Sequence, residues 1–192
     1  MLSFKQFVVE STEVGSAWHG SPHSFDKFTR RETAHTGEGG AAYGSGIYIS
    51  DNKKVGEHYR DIDKNKKGTL YQIHVKSDPK RMMHWNKPVS EQHEHVKKAL
   101  KDSGYDFSQN EDPPARHVFH YIRQHYQSTG SNKQESSEKA SKELENAGVH
   151  GITYEGDTKV KLKRDVPTNH VIFNPDHIEI KSKYDHENNL KD

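Results

Sequence analysis

The 192-residue chain has no cysteine. That excludes disulfides, thiol nucleophiles and thiolate metal centres, and it fits a reducing compartment. Core-forming side chains are also scarce. Leu, Ile, Val and Phe together supply just under a fifth of the residues, which is the edge of what sustains a packed interior. No apolar run approaches the ~18 residues of a membrane span, and no secretory signal is visible, so no membrane partner is expected. Strong charge imbalance is missing too, the formal net charge being +1. Disordered chains pair low hydrophobicity with high net charge, so wholesale disorder is disfavoured. A near-neutral chain also has no general electrostatic grip on nucleic acid. The one basic strip, KVKLKR from Lys159 to Arg164, reads as a solvated strand edge. These bounds predict about one folded domain with a thin core and long polar loops.

What the chain does have is a spaced set of aromatic and glycine residues. Trp18-His19-Gly20-Ser21 is followed by Gly44-Ser45-Gly46-Ile47-Tyr48-Ile49-Ser50, and Tyr59 lies eleven positions past Tyr48. A His-Gly at a strand end, a tyrosine on a glycine-flanked strand and a tyrosine on the next helix would form a slot for a flat, amide-bearing ring. Nicotinamide is such a ring. Tyr43, Tyr71 and Tyr154 read as ordinary packing residues at strand positions. The fifteen histidines invite a metal site, with His93/His95 and His117/His120 as the best pairs. Neither pair has HExxH spacing or a third ligand, and residues two apart do not share a helix face, so no metal is expected. The glycines at 37, 39, 40, 44 and 46 match no phosphate-loop pattern. They read as a flexible loop over a cleft.

Period-two segments predict strands at Ala17–Gly20, Gly46–Ser50, Thr69–Lys76, Gly151–Glu155, Thr158–Lys163, Asn169–Phe173 and Ile178–Lys181. Asp51 is placed to cap a helix running to about Asp61. From 86 to 147 the pattern turns helical, with helices expected over Ser90–Ser103, Pro113–Tyr126 and Gln134–Ala147, the last ending at Gly148. A polar loop is expected at Ser128–Ser137. Strands at both ends with helices between them predict α+β rather than alternating βαβ units.

AWHGSPHSF and YGSGIYISDNKKVGEHY resemble the nicotinamide-binding core of ADP-ribosyltransferases of the His-Tyr class, which includes diphtheria toxin and the poly(ADP-ribose) polymerases. LENAGVHGITYEG and PTNHVIFNPDHIEI are similar to the closing segments of phage-encoded domains of that type. The first ten residues, MLSFKQFVVE, resemble the capsid-targeting propeptides of T-even-type phages, which are cut after a Glu preceded by aliphatic residues; Glu10 matches. A short amphipathic helix is the other reading of that decamer.

The resemblance implies two small, roughly perpendicular β-sheets with flanking helices and a helical insertion at 86–147. NAD, as substrate, would lie in the cleft between the sheets. Residues 1–10 would be a propeptide and residues 11–192 a single transferase-like domain. His19 would bond the nicotinamide-side ribose, the Gly20 backbone would clasp the carboxamide, Ser21 would sit near the adenosine ribose, and Tyr48 and Tyr59 would sandwich the ring. Two positions depart from the family. Its catalytic glutamate aligns with Asn169, which cannot act as a base and hydrogen-bonds more weakly than a carboxylate. A serine that holds the carboxamide in some relatives is Gly56 here. Glu38 and Glu155 are candidates to supply the missing base, although a solvated carboxylate is the ordinary reading of each.

The expectation is therefore a mono-ADP-ribosyltransferase with His19, Tyr48 and Asn169 as catalytic positions. It would be packaged in the virion head and act in the host cytoplasm on a host protein such as RNA polymerase, with nucleic acid left open as acceptor. The alternatives are a catalytically inactive NAD- or ADP-ribose-binding internal head protein, and an NAD glycohydrolase.

Overall fold

The computed structural model describes residues 12–29, 42–156 and 166–191. In chain order the described elements are β1 (Gly15–Ser21), β2 (Ile47–Ser50), α1 (Lys53–Arg60), β3 (Thr69–Val75), β4 (Met82–His84), α2 (Glu94–Lys101), α3 (Ala115–Ser128), α4 (Lys133–Asn146), β5 (Gly151–Glu155), β6 (Thr168–Ile172), β7 (Ile178–Tyr184) and β8 (Leu190–Lys191). The architecture is α+β, as the segregation of strand and helix patterns predicts. The described strands pair into one sheet in the order β4-β5-β6-β2-β1-β3-β7-β8, where two separate sheets were expected. The joint at its middle is slight: β1 and β2 share one register pair, Trp18↔Ser50. By contrast β1 and β3 pair along their full length, from Gly15↔Val75 to Ser21↔Thr69.

All strand pairs are antiparallel except β4 with β5. Parallel neighbours cannot be joined by a tight turn and need a long crossover. Here α2, α3 and α4 supply it, so the helical stretch at 86–147 is the connection that lets β4 lie beside β5. Its helices bury Val96, Leu100, Val118, Phe119, Ile122 and Leu144 against Ile152 and Val171 of the sheet. A second cluster, with Ile47, Ile49, Tyr71, Ile73, Met82 and Phe28, centres on β1, β2 and β3.

Several boundaries move for identifiable reasons. Asn52, not Asp51, caps α1 by accepting from the Lys54 N–H at 3.0 Å; Asp51 instead accepts from the Thr168 N–H at 3.0 Å and ties β2 to β6. The helix expected at Ser90–Ser103 is restricted to Glu94–Lys101, because Val89–Glu91 forms a separate 3₁₀ turn. The polar loop at Ser128–Ser137 shrinks because Asn132 and Glu135 form a reciprocal capping box that starts α4 at Lys133. Gly148 ends that helix region with φ +86°, the left-handed turn that favours glycine. Strands β4 and β8 were not expected. The strand expected at Thr158–Lys163, the basic strip, Glu38, the glycines at 37, 39 and 40, and the decamer ending at Glu10 lie outside the described residues.

Candidate functional site

Tyr48 and Asn169 are set by the pairing of β2 with β6, in which Tyr48↔Val171 and Ser50↔Asn169 are partners. Cross-strand partners point to the same side of a sheet. Tyr48, Ser50 and Asn169 therefore share one face with Tyr154, the β5 partner of Asn169. The turn before β2 holds Tyr48 at its tip. The Tyr48 hydroxyl donates to the Gly44 carbonyl at 2.8 Å and accepts from the Tyr43 N–H at 3.2 Å. Gly44 has φ +99°, so the turn needs a glycine there. Burial pushes the Tyr48 phenol above its ordinary pKa, and the nearby Tyr43 and Tyr59 phenols add to the shift. Tyr59, on α1, is among the groups that bear electrostatically on Tyr48.

His19 joins this group through the main chain. Its Nδ1 lies 2.7 Å from the Tyr48 carbonyl oxygen, a bond across the slight β1–β2 joint. A carbonyl only accepts, so Nδ1 carries the proton. Burial lowers the His19 pKa, partly opposed by that same bond, so the ring is neutral near pH 7 and Nε2 is an acceptor. Strand alternation turns the ring to the side of β1 opposite Trp18 and Gly20. There it meets Phe28 edge-on at 5.0 Å and neighbours Phe25 and Tyr71.

Gly20 has a packing reason as well as the expected ligand one. A Cβ there would lie 1.8 Å from the Gly56 carbonyl oxygen and 2.5 Å from the Arg60 nitrogen. A Cβ on Gly56 would lie 2.7 Å from Leu70 Cδ1. The two glycines let α1 approach β1 closely, which carries Tyr59 toward the site. Gly56 thus faces the sheet, where a serine would press on the Leu70 side chain. Ser21 is fully buried, and its hydroxyl accepts from the His23 N–H at 3.1 Å; its side chain serves the turn after β1.

Asn169 is 1% exposed. Its Nδ2 donates to the Gly156 carbonyl at 2.7 Å, which fixes the amide orientation. Oδ1 is then turned away and, although buried, has no hydrogen-bond partner. Buried polar atoms are rarely left so. Of the two carboxylates considered as a stand-in base, only Glu155 is described, and it is not beside Asn169. Glu38 is outside the described residues. Glu155 pairs with Thr168 and alternates to the opposite face, where its charge acts on His84.

Tyr43 and Tyr154 pack against the helical core as expected: their rings stack at 3.8 Å and 6°, and Tyr43 meets Trp85 edge-on at 5.2 Å. No local pattern announced the pair, since Tyr154 reaches Asn169 only through the pairing of β5 with β6. Tyr71 is a packing residue, fully buried, its hydroxyl accepting from the Phe25 N–H at 2.8 Å. The His93 and His95 rings stack at 5.3 Å because His93 caps α2 from outside the helix. Among the described residues no three His, Asp or Glu side chains converge as a metal site would require, and no helix is long and apolar enough to cross a membrane. Comparison with known protein families, curated proteins and solved structures finds no match to this chain.

Proposed function

We propose that the protein binds NAD and transfers its ADP-ribose to a host macromolecule, a protein in the first instance, releasing nicotinamide. The observation that carries this reading is the buried, unpartnered Oδ1 of Asn169 on the same face as Tyr48. It is an acceptor prepared for a hydroxyl, and a ribose 2′-hydroxyl bound beside a nicotinamide on Tyr48 would satisfy it. His19 supports the same reading through its bond to the Tyr48 carbonyl, which holds the strand that presents the Tyr48 ring. The single-pair joint between β1 and β2 supports the finer reading that the sheet works as two leaves with the dinucleotide at their junction.

In the reaction the C1′–N bond to nicotinamide breaks, its electron pair leaving with the ring, while an acceptor lone pair forms the new bond at C1′. Positive charge builds on the ribose in between. Tyr48 and Tyr59 would hold the ring flat and Asn169 would orient the 2′-hydroxyl; positioning of this kind contributes several kcal/mol. Asn169 itself cannot take a proton, and Glu155 lies on the opposite face of the sheet. The acceptor must then arrive deprotonated or lose its proton to solvent, which favours single transfer over chain growth. The same substitution keeps a second reading in play, a non-catalytic binder of NAD or ADP-ribose, with hydrolysis to free ADP-ribose as a third.

Incubation with labelled NAD and host lysate separates the three. A labelled macromolecule supports transfer, free ADP-ribose supports hydrolysis, and binding without either product supports the non-catalytic reading. The phage context, with packaging in the head and action in the host cytoplasm on RNA polymerase or another host protein, is proposed from MLSFKQFVVE and the resemblance. Virion-derived protein is expected to begin at Ser11; a Met1 start there would contradict it.

A further inference from the structure

The crossover helices carry an uncompensated cluster of cations beside the aromatic stack. Along α3, Arg116, His120 and Arg123 fall at i, i+4 and i+7 and share one half-buried face. The Trp85 ring anchors this face to the sheet: it meets His120 edge-on at 5.3 Å, and its carbonyl accepts from the Arg116 N–H at 3.1 Å. Arg116 Nη1 donates to Asn86 Oδ1 at 2.9 Å, which holds one guanidinium in place. No carboxylate among the described residues pairs with Arg116 or Arg123. Two buried nitrogens on this face, Arg123 Nε and His120 Nδ1, have no hydrogen-bond partner. Arg123 Nε always carries a proton, so it is a buried donor without an acceptor, an arrangement proteins seldom keep without a ligand.

We propose that the Arg116–His120–Arg123 face of α3 is an oxyanion site that takes a phosphate group. A phosphate offers several acceptor oxygens and nearly two negative charges. Forked guanidiniums match that geometry better than point charges do. Burial holds the His120 pKa low, and the groups that bear on it electrostatically, Arg123, His117 and Arg116, add to that. A bound phosphate would relieve that repulsion. Through Trp85, Tyr43 and Tyr154 the site adjoins the strand end that holds Asn169. The phosphate could belong to a dinucleotide or to the phosphodiester backbone of a nucleic acid.

The test is imidazole NMR on the ligand-free protein, titrated with inorganic phosphate against chloride at constant ionic strength. His120, assigned through a His120→Gln variant, should show a saturable shift and a rise in pKa. His125, exposed on the same helix, should not move. An unmoved His120, or one that merely tracks His125, overturns the proposal. The Arg116→Gln/Arg123→Gln double variant should lose the response, and Arg123→Gln alone should weaken it several-fold; an undiminished response in either is contrary. Competition identifies the source, displacement by NAD marking a dinucleotide and displacement by a short single-stranded oligonucleotide marking nucleic acid. A His19→Ala variant should keep the phosphate response, so failure of the NAD reading stays distinguishable from failure of this one.

Discussion

The His19 imidazole and the Tyr48 carbonyl, 2.7 Å apart, bridge the two strands that share only the pair Trp18↔Ser50. One side chain thereby fixes its own tautomer and holds in place the backbone that presents the Tyr48 ring. Removing it should damage the site in two ways. His19→Ala and Tyr48→Ala are each expected to abolish NAD-dependent labelling of lysate proteins. Tyr48→Phe, which keeps the ring but drops the bonds to Gly44 and Tyr43, should lose about 1–3 kcal/mol of folding stability and retain measurable labelling. Denaturant titration and the labelling assay read the two effects separately.

Gly20→Ala should be severe for a steric reason. Its Cβ would sit 1.8 Å from the Gly56 carbonyl oxygen, so α1 must lift off β1, at about 2–4 kcal/mol. Gly56→Ser places a serine where some relatives of the resembled family have one, yet it would meet Leu70 at 2.7 Å. It should lower the unfolding midpoint without improving NAD affinity. Improved affinity would show that this position faces the ligand.

Asn169→Asp is expected to destabilise by about 1–3 kcal/mol at pH 7, because an ionised carboxylate would face the Gly156 carbonyl that now accepts from Nδ2. The new carboxyl should therefore have a raised folded-state pKa. Protonation lets it donate to that carbonyl, so the penalty should shrink as pH falls toward 4. Comparing denaturant midpoints of the two proteins across pH 4–7 checks the sign.

Buried histidines predict acid sensitivity of the parent protein. Burial, then the neighbouring His84, pushes His170 down to about 4; burial also lowers His19, His84 and His150. Unfolded histidines take protons near pH 6.5. Below that pH the unfolded state binds more protons than the folded one, so stability falls as pH drops. His170 contributes to that loss between about 6.5 and 4 and adds nothing further below. At about 1.4 kcal/mol per pKa unit its share is at most about 3.5 kcal/mol. His170→Gln should flatten the pH dependence of the thermal midpoint; an unchanged slope would count against it.

Alternation and spacing made the inner strands legible. Gly151–Glu155 emerges as expected, β2 and β3 differ by a residue at one end, β1 and β6 by one or two at both, and β7 runs on to Tyr184. Short edge strands were not legible, since β4 with three residues and β8 with two are too brief for a period to register. Nor was the strand order: a single continuous sheet depends on the Trp18↔Ser50 contact, which no local pattern announces. At the site, the spacing of Tyr48 and Tyr59 raised the expectation of a slot, while the packing duty of Gly20 and Gly56 and the inward turn of Ser21 came only from tertiary contacts. The orphaned Asn169 Oδ1 could not be foreseen either, because it arises from a bond to Gly156, thirteen residues away in sequence.

Calorimetric titration of the folded protein with NAD, repeated on Tyr48→Ala, tests the central claim most directly. One saturable site per chain is predicted for the parent protein, with binding lost in a variant whose unfolding transition stays cooperative. No heat of binding in the parent, or undiminished affinity in the variant, would contradict a dinucleotide pocket built on Tyr48.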